Sequence, residues 1–429
     1  MRIAVIGSGA REHALSWALG KAKDCQVFVL PGNAGCAFSV PISVDDFVGI
    51  ENFCKTHSID LVIPGQEVSL ALGIKNWLSM SGWRVFGPSK EASKLESSKI
   101  WAKQFMRRHG VKTANFVIAH SLDDALHAAY EFHGDCVIKW DGLAAGKGVC
   151  VCRDQSDVLL ALQELAKFSS TDFVIERRLH GRELSLFAIT NGEQYILLAP
   201  AKDYKRAFDQ DEGPNTGGMG AVSSDSLLDD ALKTRIEEEI ITKTLAGLKK
   251  ENISYMGFLY FGIMICEDAP YLLEYNVRLG DPETTAVLAR LETSLLDLIM
   301  ACLDHTLNNV VLKTKPESCV NVVLASEGYP GGYKTGFFVK GLEEFDHHAL
   351  VFHAGTRLAD GKIVTSGGRI LNCAALGATI REAHSQAYEM IAKLHVDSSF
   401  YRRDIGEDCF EEENRNPNLG QGQQHASHY

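Results

Sequence analysis

The chain has 429 residues, which at roughly 100–200 residues per domain predicts two to four domains. Hydrophobic residues make up 45% and charged residues 23%, which excludes wholesale disorder, collagen and a coiled coil as overall descriptions. With 43 Lys and Arg against 55 Asp and Glu, the net charge of −12 speaks against sequence-blind nucleic-acid binding but leaves room for a small phosphorylated ligand in a local pocket.

Residues 2–6 read as a buried parallel strand, followed by a turn over Gly7–Ala10 and a helix over His13–Gly20. Strands are predicted at Gln26–Leu30, Leu61–Pro64 and Arg84–Phe86, with helical patterns between them. That alternation predicts a doubly wound parallel sheet ending near Lys90–Ser98. A mixed unit follows: helices at Lys99–His109, Asp123–Phe132 and Asp157–Phe168, an extended stretch at Val111–Ile118, and strands at Cys136–Trp140, Val149–Cys152 and Asp172–Arg177. Leu184–Thr190 and Gln194–Leu198 form a predicted hairpin across Asn191-Gly192. A long loop is expected over Lys202–Val222, a helix over Leu227–Lys250, a hairpin from Gly257–Ile265 and Tyr271–Val277, and a helix over Thr285–Thr306. A last unit rich in short strands opens at Val320–Leu324, includes Val351–His353 and Arg369–Cys373, and carries a helix over Ile380–His395. Glu411–Tyr429 has almost no aliphatic residues and is expected to be disordered. No apolar run approaches the ~20 residues of a membrane span, and Ile3–Ile6 is too short for a signal peptide. Eleven scattered Cys without a secretory signal predict a reducing cytoplasm. Cys150 and Cys152 alternate in a strand pattern and read as structural rather than as a metal knuckle.

Four segments carry chemistry. Gly7-Ser8-Gly9-Ala10-Arg11-Glu12 follows the first strand, but Glu12 stands where a dinucleotide fingerprint has glycine, and Leu30-Pro31 stands where it has an acid. What remains is an anion-holding turn or a plain tight turn; Pro31-Gly32-Asn33-Ala34-Gly35 at the same sheet edge favours the former. Asp141–Gly148 resembles a Walker A loop but fails on spacing, and a strand rather than a helix follows it. It reads either as a flap able to fold over phosphates, with Lys147 at its tip, or as a solvated hairpin. Lys139, set among Val137, Ile138 and Trp140, needs an anionic partner if buried. Glu274 and Asn276 share one strand face, a pairing that suits a hard cation such as Mg²⁺, and Arg278 continues the face; an ordinary salt bridge is the competing reading. Gly213–Gly220 places four glycines in eight residues of a polar loop, just after Lys205 and Arg206.

Taken together, these segments resemble the phosphoribosylamine–glycine ligase family, also called glycinamide ribonucleotide synthetase, within the ATP-grasp superfamily. The matching segments are GSGAREHAL (7–15), PGNAG (31–35), IKWDGLAAGKGV (138–149), DEGPNTGGMGA (211–221), GFLYFGIMI (257–265), LEYNVRLGDPET (273–284), GYPGGY (328–333), FHAGT (352–356) and GGRIL (367–371), in that order from Met1 to about Gly406. The resemblance implies an α/β and α+β multidomain protein: a Rossmann-like N-terminal domain at 1–98, an ATP-grasp domain from 99–118 and 192–313, an inserted lid at 119–191 carrying the flap, a small mixed C-terminal domain at 314–404, and a disordered tail at 405–429. It implies a cytoplasmic, monomeric enzyme of purine biosynthesis with small-molecule substrates and no nucleic-acid or membrane partner. ATP and Mg²⁺ (or Mn²⁺) would drive glycine, through glycyl phosphate, onto 5-phosphoribosylamine.

The resemblance also implies residue roles. Lys99 and Lys139 would meet the ATP phosphates, with Gly146, Lys147 and Gly148 in the flap above them. Glu176–Leu179 would be the adenine hinge and Glu183 the ribose ligand. Glu274 and Asn276 would hold the metal, and Arg278 and Asp281 would touch the glycine carboxylate and the moving phosphoryl group. Gly9, Arg11, Gly32, Asn33 and Glu67 would line the phosphoribosylamine side. Asp203 with Asn215, Gly217 and Gly218 would border glycine. Departures from the family pattern fall at Ala10, at Gln66–Ser69 (expected to be a looser loop), at Trp140, at Lys202 and Tyr204 flanking Asp203, and at Thr285. Two alternatives remain open at this level: a formate- or bicarbonate-using relative, and a weakened descendant that only binds nucleotide.

Overall fold

A computed structural model describes residues 1–144 and 147–415. The architecture is α/β and α+β in three main sheets, with two small two-stranded ribbons, Arg206–Phe208 with Glu212–Asn215 and Thr356–Ala359 with Lys362–Thr365. In the first, the strand Arg2–Gly7 lies between Gln26–Pro31 and Leu61–Pro64, all parallel. Ile3 to Ile6 are fully buried, as a strand covered by helices on both faces requires. The strand expected at 84–86 contributes one parallel bridge, Val62 to Val85. The first helix begins earlier than its apolar pattern, at Ala10, because the Glu12 carboxylate accepts the Gly9 N–H at 2.6 Å and caps it. Ala10 is thus helical and buried, and its methyl costs the turn little.

The second sheet is antiparallel, in the order Phe116–Ala119, Phe173–Arg177, Cys136–Trp140, Val149–Cys152. Helices Leu122–Glu131 and Gln155–Leu165 cover it and give it its own core, including Ala125, Ile138, Val158, Leu162 and Phe173. The third sheet has ten strands. Its path runs Ala269–Asn276, Gly257–Cys266, Arg182–Thr190, Ala201–Asp203, Gly220–Ser223, Ser318–Ser326, Arg369–Gly377, Leu350–His353. The strands of the unit expected to begin at residue 314 therefore continue the sheet of the preceding one, through the pairing of Ser318–Ser326 with Gly220–Ser223.

Four expectations need correction. The segment 202–222 is not one loop: Ala201–Asp203 and Gly220–Ser223 pair within the large sheet, and Arg206–Phe208 pairs with Glu212–Asn215. Strands of three or four residues rich in Gly and charge leave no alternation to read. The helix over 227–250 is one unbroken helix but starts later, at Asp230, and a π turn at Glu237–Ile241 widens it before it ends at Lys250. The helix over 285–306 is two, Glu283–Arg290 and Leu295–Leu303, because Ser294 starts the second by accepting the Asp297 N–H. The tail expected to be disordered from 405 is ordered at its start. Ile405 and Cys409 are fully buried, and a short helix covers Phe410–Arg415. Two apolar side chains and the ion pairs of Arg402 hold a stretch whose composition is otherwise that of a solvated tail. Residues 416–429, and Gly146 of the flap, lie outside the described residues. Among the described residues, no helix is long and apolar enough to cross a membrane.

Candidate active site

A cleft of about 990 Å³ opens between the three sheets. Its lid end is built by the helix Lys99–His109 and the second sheet. Lys99 donates from Nζ to the Gly142 carbonyl at 2.7 Å, and Asp141 accepts from the Ile100 N–H and the Ser98 hydroxyl, so the root of the flap is tied to the start of that helix. Gly142 has φ +144, and a Cβ there would meet the Trp140 ring at 2.4 Å, so this turn requires glycine. Trp140 itself stacks on Phe168 with ring centroids 4.5 Å apart and donates to the Ser170 carbonyl, which gives the bulky departure a packing role away from the cleft. Lys139 has the partner its setting demands: Glu176 Oε1 at 2.9 Å, inside the sheet. Lys103 approaches the other oxygen of Glu176 at 3.0 Å. Leu179 and Gly148 line the same end.

The middle of the cleft is set by the strand Ala269–Asn276. A β-bulge at Leu273 lets Gly262 face Glu274 while Ile263 faces Leu272, and this re-aims Glu274 and Asn276 into the cleft while Tyr275 stays in the core. Burial opposes the Glu274 charge, but Lys205, Lys139, Lys99 and Arg278 hold its carboxyl below the usual range. Lys205 bonds Glu183 Oε2 at 2.9 Å. Beside them Asp203 is half-buried, with its Oδ1 enclosed and without a hydrogen-bond partner among the described residues. Burial first, then the nearby Glu283 carboxylate, pushes Asp203 well above the usual range.

At the far end, Arg278 bonds Glu96 at 2.8 Å and Glu67 at 3.4 Å, and Arg11 reaches Glu67 at 3.7 Å and Glu12 at 2.6 Å. The segment Gln66–Ser69, expected to be loose, is instead the N-cap and first turn of the helix Glu67–Leu72, pinned by these ion pairs. Against burial, Arg278 and Arg11 bring Glu67 down to about 2, whereas burial raises Glu96 to about 7. Arg369 ties three segments together. Its Nη1 meets the Asp281 carboxylate at 3.1 Å, the Asp281 carbonyl at 2.8 Å and the Gly217 carbonyl at 2.6 Å. The Tyr329 hydroxyl accepts the Gly217 N–H at 2.9 Å.

The structure thus brings Lys99, Lys139, Gly148, Glu176, Leu179, Glu183, Asp203, Asn215, Gly217, Glu274, Asn276, Arg278, Asp281, Arg11 and Glu67 to one cleft. Lys147 is exposed at the flap tip and, with Gly9, Gly32, Asn33 and Gly218, lies off the lining. Asn33 spends its side chain on backbone: Nδ2 donates to the carbonyls of Ser8 and His353, and Oδ1 accepts the Gly35 N–H. Gly9 packs on Asp281, and Gly218 on Asp203 and Pro282. Lys202 and Tyr204, the departures beside Asp203, bond Asp408 of the C-terminal segment. Thr285 is buried and donates to the Pro282 carbonyl at 2.7 Å. Residues that reading the sequence did not single out are Glu96, Lys103, Glu283, Tyr329 and Arg369. Glu283, Tyr329 and Arg369 sit inside the matching segments 273–284, 328–333 and 367–371, and Lys103 follows Lys99 by four residues on the same helix face, whereas Glu96 left no signal.

Two sheets clasping a cleft between lysines and a carboxylate-bearing strand define the class: an ATP-grasp fold. Solved structures share it. A biotin carboxylase domain of the Hydrogenobacter thermophilus 2-oxoglutarate carboxylase, in complex with MgADP, matches with TM-score 0.70 over 99% of each chain, at 13% identity, which speaks to the fold alone. Profiles described as the phosphoribosylglycinamide synthetase N domain, ATP-grasp (A) domain and C domain match residues 1–96, 97–284 and 319–408. A phosphoribosylamine–glycine ligase of Caldanaerobacter subterraneus subsp. tengcongensis is 42% identical, covering 94% of this chain and 99% of its own. One of Vibrio parahaemolyticus is 39% identical, covering 95% and 98%. The crystal structure of a phosphoribosylamine–glycine ligase from Thermotoga maritima matches with TM-score 0.81 at 35% identity, covering 94% of this chain and all of its own. The chain belongs to the phosphoribosylglycinamide synthetase family.

Proposed function

We propose that the protein joins glycine to 5-phosphoribosylamine, converting ATP to ADP and phosphate and forming glycinamide ribonucleotide. The observation that carries this is the cleft itself. Three lysines and Arg278 converge on one ionised carboxylate, Glu274, between a glycine-rich flap and a glycine-rich loop. Such a site does phosphoryl transfer by positioning and charge, with no protein nucleophile.

Lys99 and Lys139 take the nucleotide's phosphates at the lid end. The donor set Glu274 and Asn276, all oxygen and held charged, fits a hard divalent cation, Mg²⁺ or Mn²⁺. Bound there, such an ion neutralises phosphate charge. The glycine carboxylate attacks the γ-phosphorus, ADP leaves, and Arg278 steadies the charge on the moving phosphoryl group. Asp203, raised by burial and unpartnered at Oδ1, faces the glycine side with the Asn215–Gly218 loop. The phosphoribosylamine nitrogen then attacks the glycyl carbonyl of the mixed anhydride, the C–O bond to phosphate breaks, and the amide forms. The anhydride hydrolyses in water, so the flap over Gly142–Gly148 has a use in excluding solvent. Arg11 and Glu67 border the phosphoribosylamine end. The enzyme acts on small molecules as a cytoplasmic monomer.

ADP release from ATP and Mg²⁺ tests this, with phosphoribosylamine generated in situ from ribose 5-phosphate and ammonia. Turnover that requires both phosphoribosylamine and glycine, with glycinamide ribonucleotide seen by mass spectrometry, is the expected result. Turnover with formate or bicarbonate in place of glycine, or ATP binding without turnover, would overturn it.

A further inference from the structure

Lys103 is the buried cation in the cleft that the reaction above does not use. Its Nζ lies 3.0 Å from Glu176 Oε2 and donates to the Thr113 hydroxyl at 2.6 Å, with the side chain only 3% exposed. Glu176 is equally enclosed, and its other oxygen lies 2.9 Å from Lys139. Lys139 also donates to the Leu273 carbonyl at 3.1 Å. Two lysines therefore share one carboxylate, and only Lys139 is also asked to serve the nucleotide.

We infer that Lys103 is a positioning residue: it keeps Glu176 neutralised so that Lys139 can turn from Glu176 to the nucleotide phosphates. This rests on the reading that the lid end holds ATP. The physics is competition for one cation. A carboxylate left alone in this dry pocket would hold any lysine within reach, because breaking a buried ion pair by removing one partner is strongly unfavourable. With Lys103 in place, Lys139 can leave and Glu176 still has a counter-charge. Without it, each nucleotide that draws Lys139 away leaves Glu176 unpaired. Burial brings Lys103 down to about 8, and Glu176 opposes that fall. Lys99, one turn earlier on the same helix, does not substitute: its Nζ meets the Gly142 carbonyl rather than Glu176, and it too is drawn to the nucleotide phosphates.

The test is a cycle of full-length variants: wild type, Lys103→Met, Glu176→Gln and Lys103→Met/Glu176→Gln. Each is measured by calorimetry for ATP affinity and by steady-state kinetics for KM(ATP) and kcat. Lys103→Met is expected to weaken ATP by about tenfold, the worth of one charged hydrogen bond, with kcat at saturating ATP little changed. In the Glu176→Gln background the same substitution should do nothing, because no carboxylate is left to capture Lys139. An unchanged ATP affinity in Lys103→Met would overturn the inference. So would an equal loss in both backgrounds, which would mean that Lys103 touches the nucleotide itself. Should Lys103→Met fail to fold, Lys103→Gln, which also removes the cation, takes its place in both backgrounds of the cycle. A wild type that binds no ATP would sink the proposed function instead, which keeps the two failures apart.

Discussion

Glu274 is where charge is most concentrated. Four cations converge on it, and Glu274→Ala should leave the fold intact, since its side chain faces the cleft rather than the core. Turnover should drop by on the order of 10²-fold or more, the several kcal/mol a metal-ligating carboxylate secures. Near-normal Mg²⁺-dependent turnover in a folded variant would remove Glu274 from the metal site. Gly218 is sensitive for a steric reason. Its φ is +110, and a Cβ would lie 2.3 Å from Pro282 and 2.6 Å from the unpartnered Oδ1 of Asp203. Gly218→Ala is expected to raise KM for glycine well above any change in KM for ATP, because it displaces Asp203 while leaving the lid end alone. Equal effects on both substrates would contradict that placement. That Lys139 has an anionic partner was legible at this scale, since a lysine inside an apolar strand must find an anion. Which anion was not, because Glu176 lies two strand crossings away in sequence.

Between elements, the seam of the first helix with the strand Leu350–His353 is made of neutral histidines. The His353 N–H donates to His13 Nδ1 at 2.9 Å, and His353 Nδ1 meets the Thr356 hydroxyl at 3.0 Å. Burial brings His13 down to about 3, aided by His353, and brings His353 down to about 4. The unfolded chain takes up these protons near pH 6.5 and the folded one does not, so their stability contribution is present above pH 6.5 and is lost as pH falls toward 4. Between pH 6.5 and 5 the loss is at most about 2 kcal/mol per imidazole. Chemical denaturation of His13→Gln at pH 7.5 and pH 5 should show a shallower acid loss than wild type, and an identical slope would assign the sensitivity elsewhere. The large sheet explains why elements of 202–222 escaped prediction. Their strands are short, and neighbours distant in sequence, at 182–190 and 318–326, hold them.

For the molecule as a whole, the C-terminal segment acts as a strap. Arg402 is 1% exposed and bonds Asp404, Asp211 and the Arg206 carbonyl, while Asp408 bonds Lys202 and Tyr204. These contacts tie the last described residues to the hairpin that leads into the Asn215–Gly218 loop. Arg402→Leu should cost about 2 kcal/mol, below the usual range for a broken buried pair because Asp211 is largely exposed. Urea denaturation would show it, and no loss of stability would make the strap an incidental contact. The family's reach along the chain, the parallel first unit, the paired strands Cys136–Trp140 and Val149–Cys152 around the glycine-rich loop, and the shared cleft-facing side of Glu274 and Asn276 were all readable beforehand, because each lies in one contiguous segment with its own pattern of glycine, charge or alternation. Tertiary structure alone decided the counter-ions: Glu176 between Lys103 and Lys139, Arg278 between Glu67 and Glu96, Arg369 on Asp281, and Asp408 on Lys202 and Tyr204. The physical reason is that local patterns record which face of an element is apolar. The partner of a buried charge is chosen by how distant strands and helices come to lie side by side, and no short stretch of sequence encodes that.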